Sequence, residues 1–190
     1  MSSFARNTRR ANSAQCSRAL GAGIALSLLS GAALAGAHQF VFTAYSDAAG
    51  GAEVMAGRYR AALEELQGQP TVMSLDPAAI NSNRCVAYSM TLQWQPARAA
   101  CDAAVRAAEA ERAAAPAWLS WATPSPDEDL AVAYANRAVM FWLWRNQTAA
   151  QRDLAAAQKL SPHAEFVAKN LTALKVHATV ALAAAPAPKS

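Results

Sequence analysis

Residues 136–162 read NRAVMFWLWRNQTAAQRDLAAAQKLSP, and their spacing describes a helical hairpin. A small residue, Ala138, is followed three positions later by an aromatic, Phe141. Nine further on comes Ala150, then the large apolar Leu154, then Ala157 and finally Pro162. Small residues let two antiparallel helix backbones approach, and large ones fill the space beside them. The proline stops the second helix.

The same order recurs upstream in NRCVAYSMTLQWQPARAACDAAV, residues 83–105. Here Cys85 is the small residue, Tyr88 the aromatic, Ala97 the alanine and Cys101 the residue in the large apolar position. The pair Asn83-Arg84 recurs as Asn136-Arg137, 53 residues later. A third, weaker copy precedes both. Gly57-Arg58-Tyr59 with Ala62 and Leu66 matches a turn and second helix, while Glu53 stands where an aromatic belongs. One helix is expected at about 52–66. Glu165 to Val176 carries Phe166, Asn170 and Leu171 at first-helix spacing and predicts a closing helix.

These hairpins resemble the tetratricopeptide repeat, a helix–turn–helix unit of about 34 residues. The resemblance covers about 43–178, with the strongest agreement at 78–108 and 131–162. It implies an all-α fold: a right-handed α-solenoid of two to three such hairpins with a C-terminal capping helix. The offset of 53 then contains an insertion at about 112–130. Its first part is a run of good helix formers, so it either lengthens the preceding helix or folds as a lid or binding loop.

Outside this region the chain divides readily. Arg6, Arg9, Arg10 and Arg18 precede an uncharged apolar run from Ala19 to Ala35 that ends in small residues. This predicts a secretory signal peptide over 1–35, cleaved after Ala35 or Ala37. The run is short and Gly/Ser-diluted for a membrane anchor, so no stable membrane insertion is expected after cleavage. Arg9-Arg10 lacks the apolar follow-on of twin-arginine export, and Cys16 lies before the apolar run, unlike a lipoprotein cysteine. A lead-in over 36–51 follows, with period-two alternation only at Gln39 to Ala44. The helical domain spans 52–180, and 181–190 is an Ala/Pro-rich tail expected to be disordered.

The net charge of +4 is carried by those four arginines, which leaves thirteen basic and thirteen acidic residues in the mature part. No basic stripe with interleaved aromatics remains, so nucleic acid is not an expected partner. Asp76-Pro77, Ser125-Pro126 and Ser161-Pro162 each predict an N-cap followed by proline at the first helical position. Glu128 completes a capping box with Ser125. That cap also accounts for the Asp127–Asp129 acidic run, and no metal is expected there.

No catalytic motif is present: no G-x-S-x-G, phosphate loop, H-E-x-x-H or dinucleotide fingerprint. His38, His163 and His177 are isolated; His163 is expected in a first turn, and His177 near a helix end would suit the negative dipole. No enzyme activity, cofactor or metal is expected. The exported chain retains Cys85 and Cys101. In the repeat family these positions face each other within one hairpin, so the resemblance and an oxidising compartment imply a disulfide. Two buried free thiols are the alternative.

The resemblance also implies that successive first helices line a concave groove, with Asn83, Asn136 and Asn170 at the matched position. Their amides could both donate to and accept from the backbone of an extended peptide. Trp142 is either a groove anchor or a residue packed under the insertion, which carries Trp118 and Trp121. Ala79, Val132 and Phe166 stand where a carboxylate clamp would need lysines. The expectation is a periplasmic or secreted bacterial adaptor that binds a protein or peptide, with a self-assembling envelope subunit as the alternative.

Overall fold

The computed structural model describes residues 39–67, 76–116 and 125–183, and every regular element among them is a helix. In chain order these are α1 (Gly51–Met55), α2 (Tyr59–Gln67), α3 (Pro77–Met90), α4 (Trp94–Ala114), α5 (Pro126–Leu143), α6 (Gln147–Leu160) and α7 (Glu165–Ala183). Each helix packs on the next along the chain. The alternate helices α1, α3, α5 and α7 also meet in sequence, which creates one continuous face.

Three tight turns build the hairpins α1–α2, α3–α4 and α5–α6, and they are the same turn. Gly57, Leu92 and Arg145 have φ of 74°, 60° and 63°. Their N–H groups donate to Val54, Ser89 and Trp142, while the next N–H donates five residues back, to Glu53, Tyr88 and Phe141. This double closure satisfies the last carbonyls of a helix and reverses the chain. Leu92 and Arg145 adopt a left-handed backbone that costs a side-chain-bearing residue about 1–2 kcal/mol. The paired hydrogen bonds hold them there.

The small-then-large spacing is a packing rule made visible. Ala62, Ala97 and Ala150 are wholly buried, as are Cys101 and Leu154, and Leu66 nearly so. Alanine at the crossing lets α4 approach α3 closely, and α6 approach α5. Cys85 and Cys101 are joined by a disulfide across α3 and α4, with Cα atoms 4.7 Å apart. Met140, Phe141 and Ala150 pack around it. The recurrent arginines bridge helices. Arg84 Nη2 donates to the Leu66 carbonyl at the end of α2. Arg137 forks onto buried Asp153 of α6, at 2.6 and 3.2 Å, and reaches Asp102 of α4 at 3.0 Å. Burial opposes the Arg137 charge, but Asp153 and then Asp102 hold its pKa above the usual value.

Several sequence expectations change. The helix expected at 52–66 is two helices, because Gly57 takes the left-handed turn and Arg58 bonds back to Glu53. Asp76 and Ser125 cap α3 and α5 as expected, accepting from Ala79 and Glu128. Ser161-Pro162 does not open a helix. Ser161 ends α6, the Ala164 N–H closes a turn onto its carbonyl, and α7 starts at Glu165. His163 is therefore an exposed turn residue. His177 lies inside α7, which continues to Ala183, and it is engaged by an aromatic ring instead of a helix end. α4 runs to Ala114, so the first part of the insertion lengthens a helix. The expected signal peptide, His38, Trp118 and Trp121 of the expected insertion, and residues 184–190 lie outside the described residues.

Candidate functional site

Three asparagines stand in line on the face shared by α3, α5 and α7. Asn83, Asn136 and Asn170 are at most 1% exposed, which is unusual for so polar a side chain. A buried amide needs partners for both its oxygen and its nitrogen. All three find them in the same place: the chain's own residues 41–45.

The geometry repeats at every second residue. Asn170 Oδ1 accepts from the Val41 N–H at 2.7 Å, and its Nδ2 donates to the Val41 carbonyl at 2.9 Å. Asn136 does the same with Thr43, at 2.9 and 2.8 Å. Asn83 does the same with Tyr45, at 3.0 and 3.0 Å, and its Nδ2 also reaches the Ala49 carbonyl. An extended chain advances about 6.6–6.8 Å every two residues and presents the same backbone edge each time. One amide per first helix therefore reads one rung. The segment runs from α7 to α3, against the order of the helices in the chain.

Side chains fix its two ends. Phe40 stacks on His177 with ring centroids 5.6 Å apart and lies 5.1 Å from the Trp142 ring. Trp142 and His177 are themselves 5.6 Å apart, so the three rings form a cluster between α5 and α7. At the other end the Tyr45 hydroxyl donates to Asp129 Oδ1 at 2.9 Å, in the first turn of α5. Between them Phe42 and Ala44 pack against the core of α1, α2 and α3. The last rung depends on Gly51, where any Cβ would lie 1.8 Å from the Tyr45 carbonyl oxygen.

The electrostatics at the Tyr45 end are acidic. Burial, and then the Asp129 charge, push Tyr45 ionisation far above its ordinary range. Burial also raises Asp129, against the lowering effect of the Tyr45 hydrogen bond, and Asp76 and Glu128 add to the rise. Glu111 is raised by burial and by Asp76, against the lowering effect of an Ala78 backbone hydrogen bond, and its Oε1 has no hydrogen-bond partner among the described residues. Among the described residues no group of three or more His, Cys, Asp or Glu is placed to hold a metal. The arrangement is suited to gripping a peptide backbone.

The structure brings Asn83, Asn136, Asn170 and Trp142 into one site. Cys85 and Cys101 sit beneath it in the core. Sequence reasoning missed the occupant, and with it Asp129, His177 and Gly51. The alternation at Gln39 to Ala44 was the one available signal. Asn170 is wholly buried, and Asn146 caps α6 by accepting from Ala149. No protein-family model, curated protein or solved structure matches this chain.

Proposed function

We propose that this protein is an exported interaction module of the tetratricopeptide-repeat type, without catalytic activity of its own, that holds an extended segment of another protein. The observation that carries this reading is the asparagine ladder. Three amides, one on each of three successive first helices, satisfy both backbone groups of alternate residues in an extended segment. Such an arrangement grips a peptide whatever its side chains, as a recognition surface requires. The identical turns and the buried alanine positions support repeated hairpins and a solenoid. The Cys85–Cys101 disulfide is compatible with an oxidising compartment, which supports export. No described helix is long and apolar enough to cross a membrane.

The test is capture of the tagged, processed protein from its own cell envelope after mild crosslinking. The module reading expects a co-purifying protein crosslinked to α3, α5 or α7 and lost in the Asn136→Ala variant. Recovery of the chain alone, as an oligomer of fixed size, would replace this reading with that of a self-assembling envelope subunit.

A further inference from the structure

The ladder is blind to side chains, so its selectivity must come from the side-chain contacts around it, the apolar packing of Phe42 and Ala44 among them. An asparagine rung contacts only backbone N–H and C=O, and any extended residue except proline can supply both. Two contacts at its ends read more than apolar bulk. The Trp142 and His177 rings flank an aromatic at the residue before the first rung. Asp129 Oδ1 takes a hydroxyl proton donor at the residue of the last rung, five positions later. The occupant, residues 40–45, is held by side-chain amides and apolar packing. It is joined to α1 by residues 46–50, and the Cys85–Cys101 disulfide lies elsewhere, between α3 and α4. Every contact that holds it is one that a separate peptide of like sequence can make.

We propose that residues 40–45 are a tethered competitor, and that the ligand of this face is an extended partner segment of the same pattern. That segment carries an aromatic side chain for the Trp142–His177 cleft and, five residues on, a tyrosine hydroxyl for Asp129. It enters in the same direction, from α7 to α3. This rests on the interaction-module reading and adds to it the ligand's pattern, its polarity and its control. A second copy of this chain is the less suitable donor. The short tether holds each copy's segment on its own face at an effective concentration of about millimolar, so a second copy offers a segment that is already engaged, whereas a partner's segment has no such face of its own. A partner must overcome that advantage, so the apparent affinity of the resting protein is reduced by the fraction of face left open.

The experiment uses the full processed chain and a fluorescent synthetic peptide, HQFVFTAYS, which copies residues 38–46. Thr43→Pro in the protein removes the N–H that Asn136 accepts, and so weakens the tethered segment without touching a helix. The expected result is peptide binding at least about tenfold tighter to the Thr43→Pro protein than to the wild type. A peptide carrying the same proline should bind neither. Adding Asp129→Ala, which removes the acceptor, should weaken the tyrosine peptide more than one with phenylalanine at that residue. Circular dichroism and light scattering accompany each measurement.

Equal affinity for both proteins overturns the proposal, as does a folded Thr43→Pro protein that binds no peptide. A wild-type dimer with exchanged segments overturns it in favour of a second copy. If Thr43→Pro does not fold, Phe40→Ala, which leaves all rungs intact, takes its place. Unfolding of both variants overturns the proposal, because the segment is then an integral part of the fold. Failure here with envelope capture retained sinks the competitor and leaves an interaction module that binds elsewhere. Peptide binding with no envelope partner sinks the module reading instead.

Discussion

The side-chain amide of Asn136 is the backbone partner of Thr43: its oxygen accepts the Thr43 N–H at 2.9 Å and its nitrogen donates to the Thr43 carbonyl at 2.8 Å. The same exchange at Asn170 and Asn83 makes the segment resemble an added strand whose partner is a row of side chains. In a sheet the partner's own backbone closes the ladder. Here three helices supply one rung each, so the spacing of the helices sets the register.

Asn136→Ala should therefore act locally before it acts globally. It strands a half-buried N–H and C=O of Thr43, at a cost of about 1–3 kcal/mol. Hydrogen exchange should show the amides of residues 41–45 opening while α4 and α6 remain protected. Equal acceleration throughout the chain would mean that the ladder is a core element of the whole fold.

Gly51 and Gly57 make a matched pair of glycine tests. Gly51→Ala drives a methyl group into the Tyr45 carbonyl, so the Asn83 rung should be lost and the Tyr45 end released. Gly57→Ala meets nothing within 4 Å, and only its φ of 74° resists the change. It should cost about 1–2 kcal/mol and leave the segment in place. The intrinsic fluorescence of Tyr45 is masked by tryptophans, so hydrogen exchange at 39–50 is the measurement that separates the two.

What could be read in the sequence, and what could not, follows from the same physics. Ala97, Ala150 and Leu154 announce themselves because packing at a helix crossing constrains size at fixed spacing. Asn83, Asn136 and Asn170 fell into register for the same reason. The occupant of the face had no such marker, since rungs that contact only backbone impose no residue type on positions 41 and 43 beyond excluding proline, and the demand on Tyr45 comes from Asp129, distant in sequence. Gly57 advertised a left-handed turn, whereas Leu92 and Arg145 adopt the same backbone without a glycine to mark it. Ser161-Pro162 carried a capping pattern, yet the chain used it to end α6. Asp129 looked like part of a capped acidic turn because its second role depends on Tyr45, distant in sequence.

The Cys85–Cys101 bond closes a short loop between α3 and α4, with a sequence separation of 16. Such a loop contributes about 3 kcal/mol in the chain-entropy account. The protein should gain two protons in mass on reduction, and its unfolding midpoint in urea should fall. An unchanged mass would remove the bond, and an unchanged midpoint its stabilising role.

The Asp129 carboxyl should make stability depend on pH in a specific sense. Its folded pKa is raised, by burial first, so the folded state holds this proton more tightly than the unfolded state does. Stability from Asp129 is then fully present below the ordinary Asp value of about 3.9, and is lost as pH rises through the folded pKa. Asp129→Asn keeps an acceptor for the Tyr45 hydroxyl and removes the charge. The variant should be the more stable at pH 7, and the difference should shrink as pH falls towards 4. A gap that widens in acid would reverse the assigned shift.

Arg137 and Asp153 should respond unequally to removal. The Arg137 side chain keeps 15% exposure and retains Asp102 as a second partner, whereas Asp153 is only 2% exposed. Losing Arg137 leaves the buried carboxylate, among the described residues, with only Arg152 Nε at 3.3 Å, on a side chain that is 70% exposed. Arg137→Met should therefore cost about 3–5 kcal/mol, the usual penalty for a buried charge deprived of its partner. Asp153→Leu should cost less, because Arg137 can turn to Asp102 and solvent. The double variant should recover much of the first loss, since a well-packed apolar pair can match a buried ion pair. Urea denaturation of the four proteins closes the cycle. Additive single losses would show that the pair is not coupled, and that Arg137 matters instead for its packing on the Tyr134 ring, 5.3 Å away.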